Sequence, residues 1–158
     1  MNIYFIRHSI AENISIEKLD YDRKITEEGI LVLTKSAEIW KNYIEDLDCI
    51  YTSPLIRSVQ TAGIISEVLQ VKEIVKDNSL GTGSNTADVI AIANRNSYKN
   101  IAIVGHQPDL SHHINNLCGI GSFNFNFPPA AIAKVEFDYK IRHSSGRLVF
   151  FIPPVLNI

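Results

Sequence analysis

The sequence is short of cysteine and of long apolar runs, and both shortages restrict where the protein can work. Its two cysteines, Cys49 and Cys118, lie far apart and form no C-x-x-C pair. Such cysteines are typical of small buried side chains in a reducing compartment. No apolar stretch approaches the roughly 20 residues that a membrane-spanning helix needs, and the apolar run at 3–6 has no basic leader before it. We therefore expect a cytoplasmic protein without a membrane segment.

Neither sign of charge dominates the chain. Lysine and arginine number 15, aspartate and glutamate number 17, and the net charge is −2. A scaffold without an overall basic field is not expected to bind nucleic acid, although a local anion pocket needs only a few cations. Hydrophobic residues make up 46% of the sequence and charged residues 20%, as in a globular protein with a core. The length of 158 residues predicts one domain over positions 1–158.

Short apolar, β-branched runs alternate with helical patterns through the first two thirds of the chain. The predicted strands occupy positions 2–6, 49–52, 73–75 and 100–104. The helix starts between and after them are marked by Thr26, Ser53-Pro54, Thr86 and the turn after His106. Two later strand-like runs, 131–137 and 148–152, are separated by a turn-rich segment and predict a hairpin.

This alternation predicts an α/β fold. We expect a three-layer α/β/α sandwich whose central sheet is mostly parallel, with helices on both faces and an antiparallel hairpin at the C-terminal end. Residues 9–25 are polar and charged, and we expect them to form a surface loop over a site.

Charged and polar side chains follow three of the predicted strands. Arg7 and His8 end the first strand, Ser53 follows the second with Arg57 one helical turn later, and His106 follows the strand at 100–104. In open α/β sheets, ligands bind beyond the carboxyl ends of the strands. We therefore expect two arginines and two histidines to meet in one pocket.

Such a pocket suits a phosphoryl group. Guanidinium groups hold phosphate oxygens bidentately and stay charged at any working pH, and nearby helix N-termini add N–H donors. A neutral imidazole can attack phosphorus and form an intermediate that water then hydrolyses. We expect the two neighbouring cations to keep His8 unprotonated, because like charge disfavours the imidazolium.

Four segments in the same order resemble the motifs of the histidine phosphatase superfamily, and within it those of the SixA-type protein phosphohistidine phosphatases. They are RHS at 7–9, RKITEEG at 23–29, TSPLIRSVQT at 52–61 and GHQPDL at 105–110. The closing FIPP at 151–154 also fits that family, so the resemblance spans nearly the whole chain. It implies the same α/β fold and the hydrolysis of phosphohistidine on a protein.

The resemblance assigns roles to matching positions. It implies that His8 is the phosphorylated nucleophile and that Arg7, Arg57 and His106 bind the phosphoryl group and stabilise charge in the transition state. Ser53 or Gln107 would add a hydrogen bond, and Arg23 would reach the pocket rim. No metal and no organic cofactor are implied. The implied partner is a phosphorylated protein, such as a histidine-containing phosphotransfer or kinase domain.

The chain departs from the family pattern in two places. Ser9 occupies the position of the glycine in the family's Arg-His-Gly signature. Other branches also carry an acidic proton donor, and here the only nearby carboxyl groups, Asp77 and Asp88, lie in no matching motif. Because the imidazole leaving group of a phosphohistidine is readily protonated, a missing acid favours phosphohistidine over sugar phosphates.

Simpler interpretations remain for single residues and for the whole protein. Arg57 could pair with Glu67 or another surface carboxylate, and His106 could cap the following helix. His112 and His113 are adjacent on a helix and point in different directions, so we expect solvent exposure rather than a metal site. The alternative functions are a phosphatase for a small phosphorylated metabolite and a non-catalytic phospho-binding module.

Overall fold

The computed structural model describes residues 1–16 and 19–155. Within this part of the chain, six strands form one sheet: β1 Asn2–Arg7, β2 Cys49–Thr52, β3 Ile74–Lys76, β4 Asn100–Gly105, β5 Ile132–Glu136 and β6 Arg147–Ile152. Four α-helices accompany them: α1 Glu27–Trp40, α2 Ile56–Leu69, α3 Thr86–Arg95 and α4 Asp109–Cys118. The predicted strands are therefore confirmed to within one or two residues.

The sheet is mixed, with the strand order β3-β2-β4-β1-β5-β6. Strands β1 to β4 run parallel to one another, whereas β5 is antiparallel to β1 and β6 is antiparallel to β5. The predicted parallel sheet with a C-terminal antiparallel hairpin is confirmed.

Alternating side chains of the strands build two separate core layers, because successive residues of a strand point to opposite faces. One layer packs Ile3 and Phe5 of β1 against apolar residues of α3 and α4. The other packs Tyr4 and Ile6 of the same strand against α1 and α2, including the fully buried Trp40. Helices thus cover both faces, and the predicted three-layer architecture is confirmed.

Two predicted helix starts have different outcomes. The hydroxyl of Thr26 accepts a hydrogen bond from the N–H of Gly29 at 3.0 Å, so the predicted cap of α1 is confirmed. The prediction that Ser53 caps α2 with Pro54 as its first residue is wrong, because α2 begins at Ile56. The Ser53 hydroxyl lies 2.7 Å from the ring of His106 and is engaged there.

The connections of the two central strands leave the sheet on opposite sides. Strands β1 and β4 are neighbours, with Arg7 paired to Gly105 in the register. The chain passes from β1 to α1 on one face and from β4 to α4 on the other. Such a switch point opens a crevice at the carboxyl ends of the strands, and His8 and His106 are the first residues beyond those ends.

The predicted surface loop at 9–25 crosses this edge of the sheet, and its positions 17 and 18 lie outside the described residues. Ala11 forms an isolated antiparallel bridge with Ile25, and residues Asp20–Asp22 form a short 3₁₀ turn.

Cys49 is buried as predicted, whereas Cys118 is only partly buried. Over 1–16 and 19–155, no helix has both the length and the apolar character to cross a membrane.

Candidate active site

Three elements bring Arg57, His8 and His106 together at the carboxyl edge of the sheet. The Nε atom of Arg57, in the first turn of α2, lies 3.2 Å from Nε2 of His8. The rings of His8 and His106 have centroids 5.2 Å apart. All three side chains are nearly inaccessible to solvent, with relative exposures of 3%, 8% and 3% in the order named. The predicted convergence of these residues is therefore present in the structure.

Hydrogen bonds orient the His8 ring. Its Nδ1 atom lies 2.7 Å from the carbonyl oxygen of Ser9. Because a carbonyl oxygen can only accept, Nδ1 must carry the proton, and Nε2 keeps its lone pair. That lone pair accepts the hydrogen bond from Arg57. His8 thus presents an unprotonated nitrogen to the cationic side of the cluster.

The surroundings keep His8 uncharged. Burial, and after it the charges of His106, Arg57 and Arg7, lowers its pKa to about 3, although the hydrogen bond to Ser9 opposes this shift. The expected direction of the pKa is present, but its largest cause is burial rather than the neighbouring cations. A neutral imidazole is the form that can attack an electrophile.

His106 is held by the residue that follows β2. Its Nε2 atom lies 2.7 Å from the hydroxyl oxygen of Ser53. Burial and the charge of Arg57 lower the pKa of His106 to about 4, so this ring is also neutral near pH 7. Its Nδ1 atom is buried and has no hydrogen-bond partner in the part of the chain that the structure describes. The alternative interpretation, that the His106 side chain caps the following helix, is therefore wrong.

Arg7 points toward the cluster from the end of β1. Its Nη1 atom donates a hydrogen bond of 2.8 Å to the carbonyl oxygen of Phe127. Burial and the charge of Arg57 lower its pKa, a sign that the two guanidinium groups share one neighbourhood. The buried Nε atom of Arg7 finds no acceptor among residues 1–16 and 19–155. An anion bound at this edge would supply acceptors for such a pair of cations.

Ser9 joins the loop that follows His8 to two helices. Its hydroxyl donates a hydrogen bond of 2.7 Å to the carbonyl oxygen of Gly29 in α1, and its N–H donates one of 3.0 Å to the hydroxyl of Thr61 in α2. The Thr61 hydroxyl in turn donates to the carbonyl of Arg57 at 2.7 Å. The backbone of Ser9, whose carbonyl orients His8, is thus fixed from both sides. A serine at this position is the only sequence signal that pointed to the network.

Asp20 is the site residue that the sequence analysis missed. Its backbone carbonyl accepts a hydrogen bond of 2.7 Å from Nη1 of Arg57, and its carboxylate accepts one of 3.1 Å from Nη2. The proposed surface pair between Arg57 and Glu67 is therefore wrong, since Arg57 is buried and pairs with the loop. No pattern in the sequence distinguishes Asp20 from its acidic neighbour Asp22.

Arg23 is linked to the cluster by the carboxylate of Asp20, which binds both Arg23 and Arg57. Its Nη1 atom donates a hydrogen bond of 2.8 Å to Asp20, and its Nε atom donates one of 2.5 Å to the carbonyl of Glu12. Hydrogen bonds from Arg23 and then from Arg57 hold the pKa of Asp20 below its usual range, so the carboxyl group is ionised at neutral pH. Arg23 thus reaches the cluster through Asp20.

Gln107 is placed differently from the other predicted ligands. Its amide nitrogen donates a hydrogen bond of 2.5 Å to the hydroxyl of Ser111. The side chain lines a cavity of about 420 Å³ that the segment 121–124 closes on the other side. The structure therefore directs Gln107 along α4, and its suggested role as a phosphate ligand stays a prediction.

The two candidate acids lie in other contacts. One carboxylate oxygen of Asp77 accepts hydrogen bonds from the N–H and the hydroxyl of Ser79. The Asp88 carboxylate contacts the side chain of Asn85 at the start of α3. Both groups stabilise local turns.

The predicted exposure of the two adjacent histidines of α4 is right for His112 and wrong for His113. His113 is only 1% exposed. Its ring nitrogens lie 3.1 Å from the hydroxyl of Thr86 and 3.0 Å from that of Ser84, which replace water as partners. Burial lowers its pKa to about 4.

In the described ranges, no group of three or more histidine, cysteine or acidic side chains is arranged to hold a metal ion.

Comparison with solved structures shows where this fold occurs. The chain superimposes on the protein histidine phosphatase SixA complexed with tungstate with a TM-score of 0.85, at 20% identity and 97% coverage of both chains. A protein described as a phosphohistidine phosphatase SixA from Agrobacterium tumefaciens superimposes with a TM-score of 0.79, at 20% identity and 97% coverage of both chains. The α-ribazole phosphatase from Shigella flexneri superimposes with a TM-score of 0.68, at 16% identity and 94% coverage of both chains. A sequence search among curated proteins finds no match.

The fold and the histidine-arginine cluster define an α/β phosphatase scaffold. A family model described as histidine phosphatase superfamily (branch 1) matches residues 3–81, which include Arg7, His8, Ser53 and Arg57. The chain belongs to this superfamily.

Proposed function

We propose that the protein hydrolyses phosphohistidine on a protein substrate through a covalent phospho-His8 intermediate. The observation that carries the proposal is the orientation of His8, whose Nδ1 is bound to the Ser9 carbonyl and whose Nε2 lone pair meets Arg57 at 3.2 Å. This arrangement provides a nucleophilic nitrogen and a phosphate-binding cation at one point.

In the proposed binding step, the phosphoryl group enters between His8 and the two arginines. Arg57 and Arg7 accommodate its oxygens with their guanidinium groups, and His106, held by Ser53, contacts it from the opposite side of the crevice. Tungstate is a tetrahedral oxyanion like phosphate, and the similar SixA structure is a complex with tungstate, which supports an oxyanion site in a protein of this fold.

Two displacements at phosphorus then complete the reaction. Nε2 of His8 attacks the phosphorus atom, the bond between phosphorus and the substrate's imidazole breaks, and that imidazole takes a proton from solvent. A water molecule next attacks the phosphorus atom of phospho-His8, and the bond between phosphorus and Nε2 breaks. Inorganic phosphate leaves while Nε2 recovers its lone pair. The neutral state of His8 before the first step follows from its burial, which lowers its pKa to about 3.

The surroundings of three carboxyl groups, those of Asp77, Asp88 and Asp20, support phosphohistidine over phosphate esters. Asp77 and Asp88 are engaged in local turns. Asp20 lies at the cluster, but Arg23 and Arg57 lower its pKa, and an ionised carboxylate has no proton to give. An alkoxide leaving group needs a positioned proton donor, whereas the imidazole ring of a phosphohistidine is basic enough to take its proton from solvent. The proposed partner is accordingly a histidine-containing phosphotransfer or kinase domain.

The test compares turnover of two substrate classes. The protein is mixed with a phosphohistidine-bearing phosphotransfer domain and, separately, with a panel of phosphomonoesters that includes sugar and nucleoside phosphates. We expect a kcat/KM at least about 100-fold higher for the phosphohistidine protein, with no turnover by His8→Ala. Faster turnover of a monoester would instead indicate a small-molecule phosphatase. Binding without any turnover would indicate a phospho-binding module.

A further inference from the structure

The phosphoryl-binding arginine is already occupied by an anion from the protein itself. The Nη1 and Nη2 atoms of Arg57 donate to the backbone carbonyl and the carboxylate of Asp20, at 2.7 and 3.1 Å. Its Nε atom donates to His8 at 3.2 Å. Each of the three guanidinium nitrogens thus has a partner before any substrate binds. A phosphoryl group that uses the same fork must take the place of one of these partners.

The carboxylate that occupies Arg57 belongs to a surface turn and is held there by a second cation. The Asp20 side chain is 46% exposed, whereas that of Arg57 is 4% exposed. Arg23 binds the other carboxylate oxygen of Asp20 at 2.8 Å and is itself bound to the carbonyl of Glu12. The buried Arg57 is therefore fixed, and the exposed turn that carries Asp20 is the part that can move. When a phosphoryl group displaces the carboxylate, Arg23 keeps the negative charge of Asp20 close by.

We infer that Asp20 is a specificity-determining residue that competes with phosphate for Arg57. A carboxylate and a phosphate bind the same guanidinium donors, and two anions close to one guanidinium group repel each other. Free inorganic phosphate, which brings no contacts beyond its own oxygens, must displace Asp20 unaided. A substrate with further contacts to the protein can use their binding free energy for this displacement. Asp20 thereby weakens binding of the free product and of small phosphate ions.

This inference rests on the proposed role of Arg57 in binding the phosphoryl group, and it is tested by binding rather than by turnover. The affinity of inorganic phosphate, and separately of tungstate, is measured by isothermal titration calorimetry at fixed ionic strength. The variants are Asp20→Asn, which keeps the shape but removes the charge, and Asp20→Ala. We expect both to bind phosphate about three- to tenfold more tightly than the wild-type protein.

Asp22→Asn is the matched control. Asp22 lies on the same exposed 3₁₀ turn and carries the same charge, but the guanidinium group of Arg57 binds Asp20 instead. We expect its phosphate affinity to stay within about twofold of the wild type, because general surface charge is screened by salt. An equal gain in Asp22→Asn would show that net charge, not competition for Arg57, controls the affinity, and it would overturn the inference.

Unchanged or weaker phosphate binding in both Asp20 variants would also overturn it, because Asp20 would then merely position Arg57. The outcome is separable from that of the proposed function. Tighter phosphate binding in a protein that turns over no phosphohistidine would support the inference and contradict the proposed substrate. Turnover of phosphohistidine with unchanged phosphate affinity in the variants would do the opposite.

Discussion

The hydroxyl of Ser9 donates a hydrogen bond of 2.7 Å to the carbonyl oxygen of Gly29, the third residue of α1. This contact is made by the side chain that replaces the glycine of the family signature. It fixes the peptide whose carbonyl orients His8, so the departure from the family pattern adds an anchor to the loop that follows His8. The serine is fully buried, and its side chain fits without exposure.

Removing this anchor should loosen the orientation of the His8 ring. In Ser9→Ala the carbonyl of Gly29 keeps its helical hydrogen bond but loses the one from Ser9, and we expect the free energy of unfolding to fall by about 1–1.5 kcal/mol. Because His8 would be oriented less tightly, kcat/KM should fall about three- to tenfold. Urea denaturation and steady-state kinetics measure the two effects.

Ser58→Ala provides the control for this substitution. Ser58 is also a fully buried serine, in α2, but its hydroxyl has no hydrogen-bond partner within the described chain. Its removal should change the free energy of unfolding by less than about 1 kcal/mol and leave kcat/KM unchanged. Equal effects of the two substitutions would show that the bond between Ser9 and Gly29 has no special role.

A side chain at position 29 should disrupt the contact between α1 and the loop. A Cβ atom added to Gly29 would lie 2.3 Å from the carbonyl oxygen of Ile10, a backbone atom that cannot move aside cheaply. We expect Gly29→Ala to lower the free energy of unfolding by about 1–3 kcal/mol. Gly63→Ala is the matched change in α2, where a Cβ meets no atom of the described structure within 4 Å. It should raise stability by about 0.5–1 kcal/mol, and a loss there as large as at Gly29 would refute the steric explanation.

Arg57 should not be replaceable by lysine. The guanidinium uses three nitrogens in a fixed geometry toward His8 and Asp20, and an ammonium group supplies charge without this fork. We expect Arg57→Lys to lower kcat/KM by at least about 100-fold, and Arg57→Ala by several orders of magnitude. Arg95→Lys, at an exposed arginine 3.7 Å from Asp77, should leave kinetics unchanged. Near-normal kinetics of Arg57→Lys would show that charge alone is sufficient.

Stability should fall when the solution becomes mildly acidic. Burial lowers the pKa values of His8, His106 and His113 from 6.5 to about 3, 4 and 4. The unfolded chain therefore takes up these protons first, so the stabilisation is fully present above pH 6.5 and is lost as the pH falls toward 4. We expect urea denaturation to show a loss of up to about 1 kcal/mol per histidine and pH unit between pH 6.5 and 5.

His113 offers a check that leaves the active site intact. His113→Asn should have a smaller dependence of unfolding free energy on pH than the wild-type protein, because one buried neutral imidazole is missing. A flat profile in the wild-type protein, or an unchanged slope in the variant, would contradict the burial of neutral histidines as its cause.

The central strands were predictable because burial on both faces leaves a simple signal. The runs at 2–6 and 100–104 are almost wholly apolar, and both became the central pair β1 and β4. The meeting of His8 with His106 then follows from topology alone, since neighbouring parallel strands end at the same edge. Local sequence was sufficient for these features.

Features that depend on long-range contacts were not predictable. Asp20 and Asp22 are equivalent in the sequence, and only the path of the loop brings Asp20 to Arg57. His113 shows the same limit, because its burial depends on the hydroxyl groups of Ser84, just before α3, and of Thr86, the first residue of α3. The start of α2 was misplaced because the Ser53 hydroxyl, a good cap by composition, is used by His106 instead.

The proposed covalent role of His8 is tested most directly by trapping its phosphorylated form. The protein is mixed with a phosphohistidine-bearing domain, quenched in alkali within milliseconds, and analysed by mass spectrometry for the position of an acid-labile phosphoryl group. We predict phosphate on His8 that appears and then clears in the wild-type protein and is absent in His8→Ala, which also shows no turnover. A phosphoryl group on another residue, or sustained turnover by His8→Ala, would contradict the account.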